Sequence, residues 1–94
     1  PKPAFAQTLV SDEITVTDAE LLIRRAFEQD PRLGCELLYR RYYAPLCSHA
    51  VRFVYSQEVA EDMVQDVFCR FYTNQTFGQI TTSYRAYLYK TVRH

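Results

Sequence analysis

Between Leu37 and Val54 the apolar residues Leu37, Leu38, Tyr42, Leu46, Ala50, Val51 and Val54 recur at three- and four-residue steps. That spacing gathers them on one stripe of an α-helix and would scatter them over both faces of a strand. The run is framed by two start signals. Asp30-Pro31 offers an N-cap carboxylate followed by Pro at the first helical position, where the missing N–H costs nothing. Ser56 offers a second N-cap, with Glu58 and Glu61 following it near the positive end of the helix dipole. Helices over residues 31–55 and 57–73 are therefore expected. Pro45 removes one backbone bond from the first, so a kink or break is expected near residues 41–45.

The remaining elements are shorter. Thr17-Asp18-Ala19-Glu20 has the form of a capping box ahead of Leu21, Leu22, Arg25 and Ala26, and predicts a helix over 18–29. Asn74 to Gln79 reads as a loop, and Thr82 or Ser83 caps a fourth helix over 83–94. Residues 1–16 hold no sustained period and read as a loose arm, with at most a short strand at Thr8-Leu9-Val10. There are only two Gly in 94 residues, which favours long helices with short connections over a strand-based fold. The expected fold class is all-α, a compact bundle of about four helices.

A chain of 94 residues makes one domain, here assigned to residues 17–94, and its 48% hydrophobic content excludes a disordered tail. No apolar run is long enough for a membrane span, and the first eight residues lack the apolar centre of a signal peptide. A cytoplasmic location is expected. The only Met is Met63, and the helical pattern still runs at His94, so the chain reads as a piece of a longer protein.

Catalytic and metal chemistry find no support. Cys35, Cys47 and Cys69 are odd in number and lack C-x-x-C spacing. Cys47-x-His49 could supply two metal ligands, but nothing nearby completes a set of four. All three cysteines are read as small buried apolar side chains in a reducing compartment. Neither a catalytic residue nor a cofactor is assigned.

Charge is balanced overall, with 11 basic and 11 acidic side chains, yet it is strongly partitioned. Arg32, Arg40, Arg41 and Arg52 face only Glu36 within residues 31–56, whereas Glu58, Glu61, Asp62 and Asp66 face only Arg70 within 57–75. Residues 76–94 hold Arg85, Lys90 and Arg93 with no acid at all. Opposite poles on one small domain fit two partners of different charge, the alternative being ordinary solvated faces that pair with each other.

Two constellations stand out. On the third helix, Ala60, Val64, Val67 and Phe71 form the core stripe, while Asp62, Gln65, Asp66 and Cys69 lie at i, i+3, i+4 and i+7 on another face. Two carboxylates with an amide between them suit the grip of a partner's Arg or Lys. As an acid/base pair they would need a cleft and unequal environments, and an exposed helix flank offers neither. In the last segment Phe77, Tyr84, Tyr87 and Tyr89 are interleaved with Arg85, Lys90 and Arg93. Rings stack on unpaired bases while cations follow phosphates, a mixture that suits single-stranded nucleic acid. Tyr84, Leu88 and Val92 are the expected buried stripe, Tyr87 its boundary, and Arg85, Tyr89 and Arg93 an exposed row; a plain amphipathic helix is the alternative.

Ala60-Glu61-Asp62-Met63-Val64-Gln65-Asp66-Val67-Phe68 resembles the A-E-D-x-V-Q-[ED]-V-F signature of bacterial RNA polymerase sigma factors of the extracytoplasmic-function (ECF) group. Leu37-Leu38-Tyr39-Arg40-Arg41-Tyr42-Tyr43-Ala44-Pro45-Leu46 resembles the opening of that family's region 2, and Tyr84-Arg85-Ala86-Tyr87-Leu88-Tyr89-Lys90-Thr91-Val92-Arg93-His94 resembles its closing motif. Tyr87 and His94 stand where the family usually has Trp and Asn. The resemblance implies a sigma region 2 fold that docks on the polymerase beta-prime clamp coiled coil through Asp62, Gln65 and Asp66. It implies recognition and melting of the promoter minus-ten element through the non-template strand, with contacts from Asn74, Gln75, Thr76, Phe77, Gln79, Arg85, Tyr89, Lys90 and Arg93. An enzyme activity is not implied. The region 4 domain that reads the minus-thirty-five element lies outside this sequence, and an anti-sigma factor is a further expected partner. The alternative reading is a protein-interaction module of the same fold, sequestered by such a factor and without a DNA role of its own.

Overall fold

The computed structural model of the protein describes residues 16–93. Four helices follow in order: α1 (Val16–Gln29), α2 (Pro31–Val54), α3 (Gln57–Thr73) and α4 (Tyr84–Arg93), with a 3-10 turn at Thr76–Gln79 before the last. Among the described residues there is no strand, so the fold is the all-α bundle expected. Of the arm expected over residues 1–16, residues 1–15 with the short strand at Thr8-Leu9-Val10 lie outside the described residues, as does His94, whereas Val16 already belongs to α1.

Helix α2 is the mast of the bundle and packs against α1, α3 and α4. Leu38, Tyr42, Leu46 and Ala50 are buried along it at four-residue steps, and Cys47 is buried beside them. Its start is capped by Asp30, whose carboxylate accepts from the Arg32 N–H at 3.0 Å. Its end is set by Tyr55, which turns into the left-handed region (φ 59°) and donates its N–H to the Val51 carbonyl at 3.0 Å. The helix does not break at Pro45. Arg41, Ala44, Pro45 and Ser48 are all exposed, so the carbonyl that lacks its donor is on the water side of the helix.

Gly34 fixes the crossing of α1 and α2. A Cβ added there would overlap the Phe27 ring. Phe27 in turn stacks on Phe77 with centroids 4.8 Å apart, and lies 5.5 Å from Tyr84 and 6.0 Å from Phe71. One aromatic cluster therefore joins α1, α3, the 3-10 turn and α4. Each such ring contributes about 1.5–3 kcal/mol when fully buried.

The core stripe of α3 is Ala60, Val64, Phe68 and Phe71. Val67, expected within it, is only half-buried, and Phe68 takes its place. A four-residue step from Val64 lands on Phe68, whose ring meets the edge of Tyr39 of α2 at 5.1 Å. On α4, Tyr84, Leu88 and Val92 are buried as their spacing requires.

The capping box expected at Thr17–Glu20 does not form. Helix α1 already begins at Val16, which puts both residues inside it. The Glu20 carboxylate is used elsewhere, against α2 and α4, as described below.

Candidate functional site

The acidic face of α3 is preceded by a cap that starts the helix on schedule: Ser56 Oγ accepts from the Val59 N–H at 3.2 Å. From that start, Asp62, Gln65, Asp66 and Cys69 emerge together on the exposed side. Asp62 has neither ion pair nor hydrogen bond among the described residues, while Asp66 pairs with Arg70 at 3.0 Å. Gln65 donates to the Tyr43 hydroxyl at 3.4 Å. Tyr43 stacks on Tyr39 with centroids 4.6 Å apart. The acidic face thus has an aromatic ledge from α2 along its edge, which sequence reasoning missed because Tyr39 and Tyr43 sit one turn apart on a different helix.

Cys69 belongs to this exposed face, contrary to the expectation that all three cysteines are buried. Its place seven residues after Asp62 puts it on the same solvent stripe. Cys47 is buried and burial pushes its thiol up; Cys35 is half-buried and pushed up to about 11 for the same reason. His49 packs its ring against Phe53 and Tyr89, with centroids 5.6 and 5.0 Å apart. No three metal-ligating side chains come together among the described residues.

Helix α4 presents a second face. Arg85, Ala86, Tyr89, Lys90 and Arg93 fall on one continuous stripe opposite the buried Tyr84, Leu88 and Val92. Arg85, Lys90 and Arg93 are exposed, and no carboxylate among the described residues pairs with them. The Arg85 guanidinium lies 4.7 Å over the half-buried Tyr89 ring, which also packs against His49.

Beside this stripe lies a recess of about 290 Å³, lined by Gln79, Ile80, Thr81, Thr82, Tyr87 and Lys90. It has hydroxyl and amide groups on its rim and the flank of a tyrosine at one side. A separate groove of about 480 Å³ runs between α3 and α4, and Asn74 and Thr76 open onto it together with Arg70 and Thr91. Tyr87 is common to both. Gln75 is exposed in the left-handed region (φ 55°) and points away to a third hollow beside Tyr72 and Pro31.

The residues expected to contact DNA are therefore not one site. Gln79, Arg85, Tyr89, Lys90 and Arg93 share the α4 side, whereas Asn74, Gln75 and Thr76 line other hollows. Phe77 is half-buried: one face of its ring is stacked on Phe27 and it packs against the core, while it also lines the hollow beside Gln75. Ile80, Thr81, Thr82 and Tyr87 line the recess: the resemblance assigns Asn74 through Thr82 to the recognition loop and Tyr87 is among the rings interleaved with cations, but a loop without period gives no cue to which of these side chains converge.

The described residues thus hold an acidic face on α3 and a cationic, ring-bearing stripe on α4 on one small helical body. The sigma-70 region 2 family model matches residues 38–94, more than half of the sequence, and the chain belongs to that family. No curated protein and no solved structure matches it. The family is one of non-enzymatic transcription-factor domains, and membership gives the chain a sigma region 2 role in transcription initiation and implies RNA polymerase core and promoter DNA as partners. No helix among the described residues is long and apolar enough to cross a membrane.

Proposed function

We propose that the chain is region 2 of an ECF-type sigma factor, working in the cytoplasm, and that its two faces divide the work. The acidic face of α3 docks on the beta-prime clamp coiled coil. Asp62 is free to pair with an incoming cation, Gln65 bridges to the Tyr43 hydroxyl, and Asp66 exchanges Arg70 for a partner's charge. The stripe on α4 follows the non-template strand of the minus-ten element, with Arg85, Lys90 and Arg93 against phosphates and Tyr89 against a base or sugar. The recess beside Tyr87 takes one extruded base, read by Gln79, Thr81 and Thr82. An unpaired base meets such a pocket at little extra cost, so binding energy to the single strand drives melting.

The observation that carries this reading is the acid-free stripe, with Arg85 and Arg93 exposed and unpaired. It supports a DNA-facing role over the alternative of a module held by an anti-sigma factor with no DNA role. The first test is binding to the purified clamp coiled coil, with Asp62→Arg combined with Gln65→Ala. Binding in the micromolar range is expected for the unaltered chain, and the double substitution should remove it, since misplaced like charge costs several kcal/mol at an interface. A folded chain that leaves the coiled coil unbound refutes the docking assignment.

A further inference from the structure

On helix α1 the polar side chains of Glu20 and Arg24 stand four residues apart and therefore on one face. Both reach across the molecule to the segment that leads into α4. The Arg24 guanidinium donates to the Ile80 carbonyl at 3.0 Å and lies 5.1 Å over the Tyr84 ring. The Glu20 carboxylate accepts the Tyr84 N–H at 2.7 Å on one oxygen, and the Arg85 N–H at 3.1 Å on the other. That second oxygen also receives the Tyr42 hydroxyl at 2.7 Å from α2.

The first amides of a helix have no partner within it, and their summed dipole favours a negative charge. In α4 two of them are satisfied from another helix, and the third, that of Ala86, by Ser83 Oγ at 3.1 Å. Tyr84 is only 1% exposed, so the Glu20 contact to its amide is shielded from competing water. Glu20 and Arg24 grip the two ends of residues 80–85, a span that supplies Ile80, Thr81 and Thr82 to the recess, while Tyr87 and Lys90 line it from the helix that the span leads into.

We infer that Glu20, with Arg24 as its second point of hold, is a positioning residue for base capture. It fixes the direction of α4 and the shape of the recess without touching nucleic acid itself. The inference rests on the single-strand reading above. It also assigns a purpose to a carboxylate that sequence pattern alone gives to the wrong helix.

The test compares the unaltered chain with Glu20→Gln, which keeps the shape and removes the charge, and with Arg24→Met, which keeps the stem and removes the donor. Each is loaded on RNA polymerase core and titrated with a mixed-sequence single-stranded oligonucleotide and with its abasic counterpart. The variants should keep their affinity for core and for the abasic strand, and should lose the preference for the base-bearing strand by about tenfold. A general loss of stability would weaken both strands alike. Amide hydrogen exchange on the same chains should rise by about tenfold at Tyr84 and Arg85 in Glu20→Gln, with the α2 core amides unchanged. An undiminished base preference in both variants overturns the inference. Should the unaltered chain show no base preference, the single-strand reading fails, and unchanged exchange at Tyr84 and Arg85 would then overturn the hold as well.

Discussion

Tyr42 shows how much one side chain can be asked to do. It is 4% exposed and its hydroxyl donates to Glu20. Burial first, and then the hydrogen bond and charge of Glu20, push its phenol up from 10.0 to about 12. The folded chain therefore holds the proton more tightly than the unfolded one. The associated stability is fully present below pH 10 and is lost as pH rises from there to about 12. Urea midpoints should fall through that window, and Tyr42→Phe should flatten part of the fall. Cys69, expected in the interior from its residue type, instead shares the solvent stripe of Asp62, so its helical spacing outweighs the general preference of cysteine for burial. Glu20 was not legible, because a Thr-x-x-Glu pattern looks the same whether the carboxylate bends back to its own helix or crosses to another.

At the level of elements, the caps and apolar periods were strong guides. Asp30 and Ser56 are N-caps in the structure, and the four-step spacing of Tyr84, Leu88 and Val92 marks the buried side of α4. Two features escaped. Pro45 marks a possible break in any sequence, and only tertiary packing of Tyr42, Leu46 and Cys47 on the opposite side decides that α2 continues. Phe77 stands alone in a loop, where no period tells a core ring from an exposed one. The contact between α1 and α2 gives the sharpest test at this scale. Gly34→Ala drives a methyl group into the Phe27 ring, which is already stacked on Phe77. A loss of about 1–3 kcal/mol in unfolding free energy is expected, measured by chemical denaturation.

Taken whole, the molecule separates its charges by surface. Among the described residues the ion pairs Asp30–Arg32 at 3.7 Å, Glu36–Arg40 at 2.6 Å and Asp66–Arg70 at 3.0 Å all lie ahead of α4, whose cations pair with no carboxylate. Three phosphate contacts from Arg85, Lys90 and Arg93 would make the logarithm of single-strand affinity fall against that of salt with a slope of about −2. Arg93→Gln should lower the magnitude of that slope by about 0.7, as read from fluorescence anisotropy over a salt series. The two faces were legible from charge and helical spacing, but the recess was not, since it forms where a loop from one end of α3 meets the flank of α4. Arg24 takes the carbonyl of Ile80, and Glu20 takes the amides of Tyr84 and Arg85, so within residues 80–85 the hydrogen bonds of this hold are all to main chain, the Tyr84 ring under Arg24 being its one side-chain contact there. Main-chain atoms are the same for every amino acid except proline at a donor position. Exchanges at Thr81, Thr82 and Ala86, which line the recess, can therefore change its wall while the main-chain bonds that frame it stay in place.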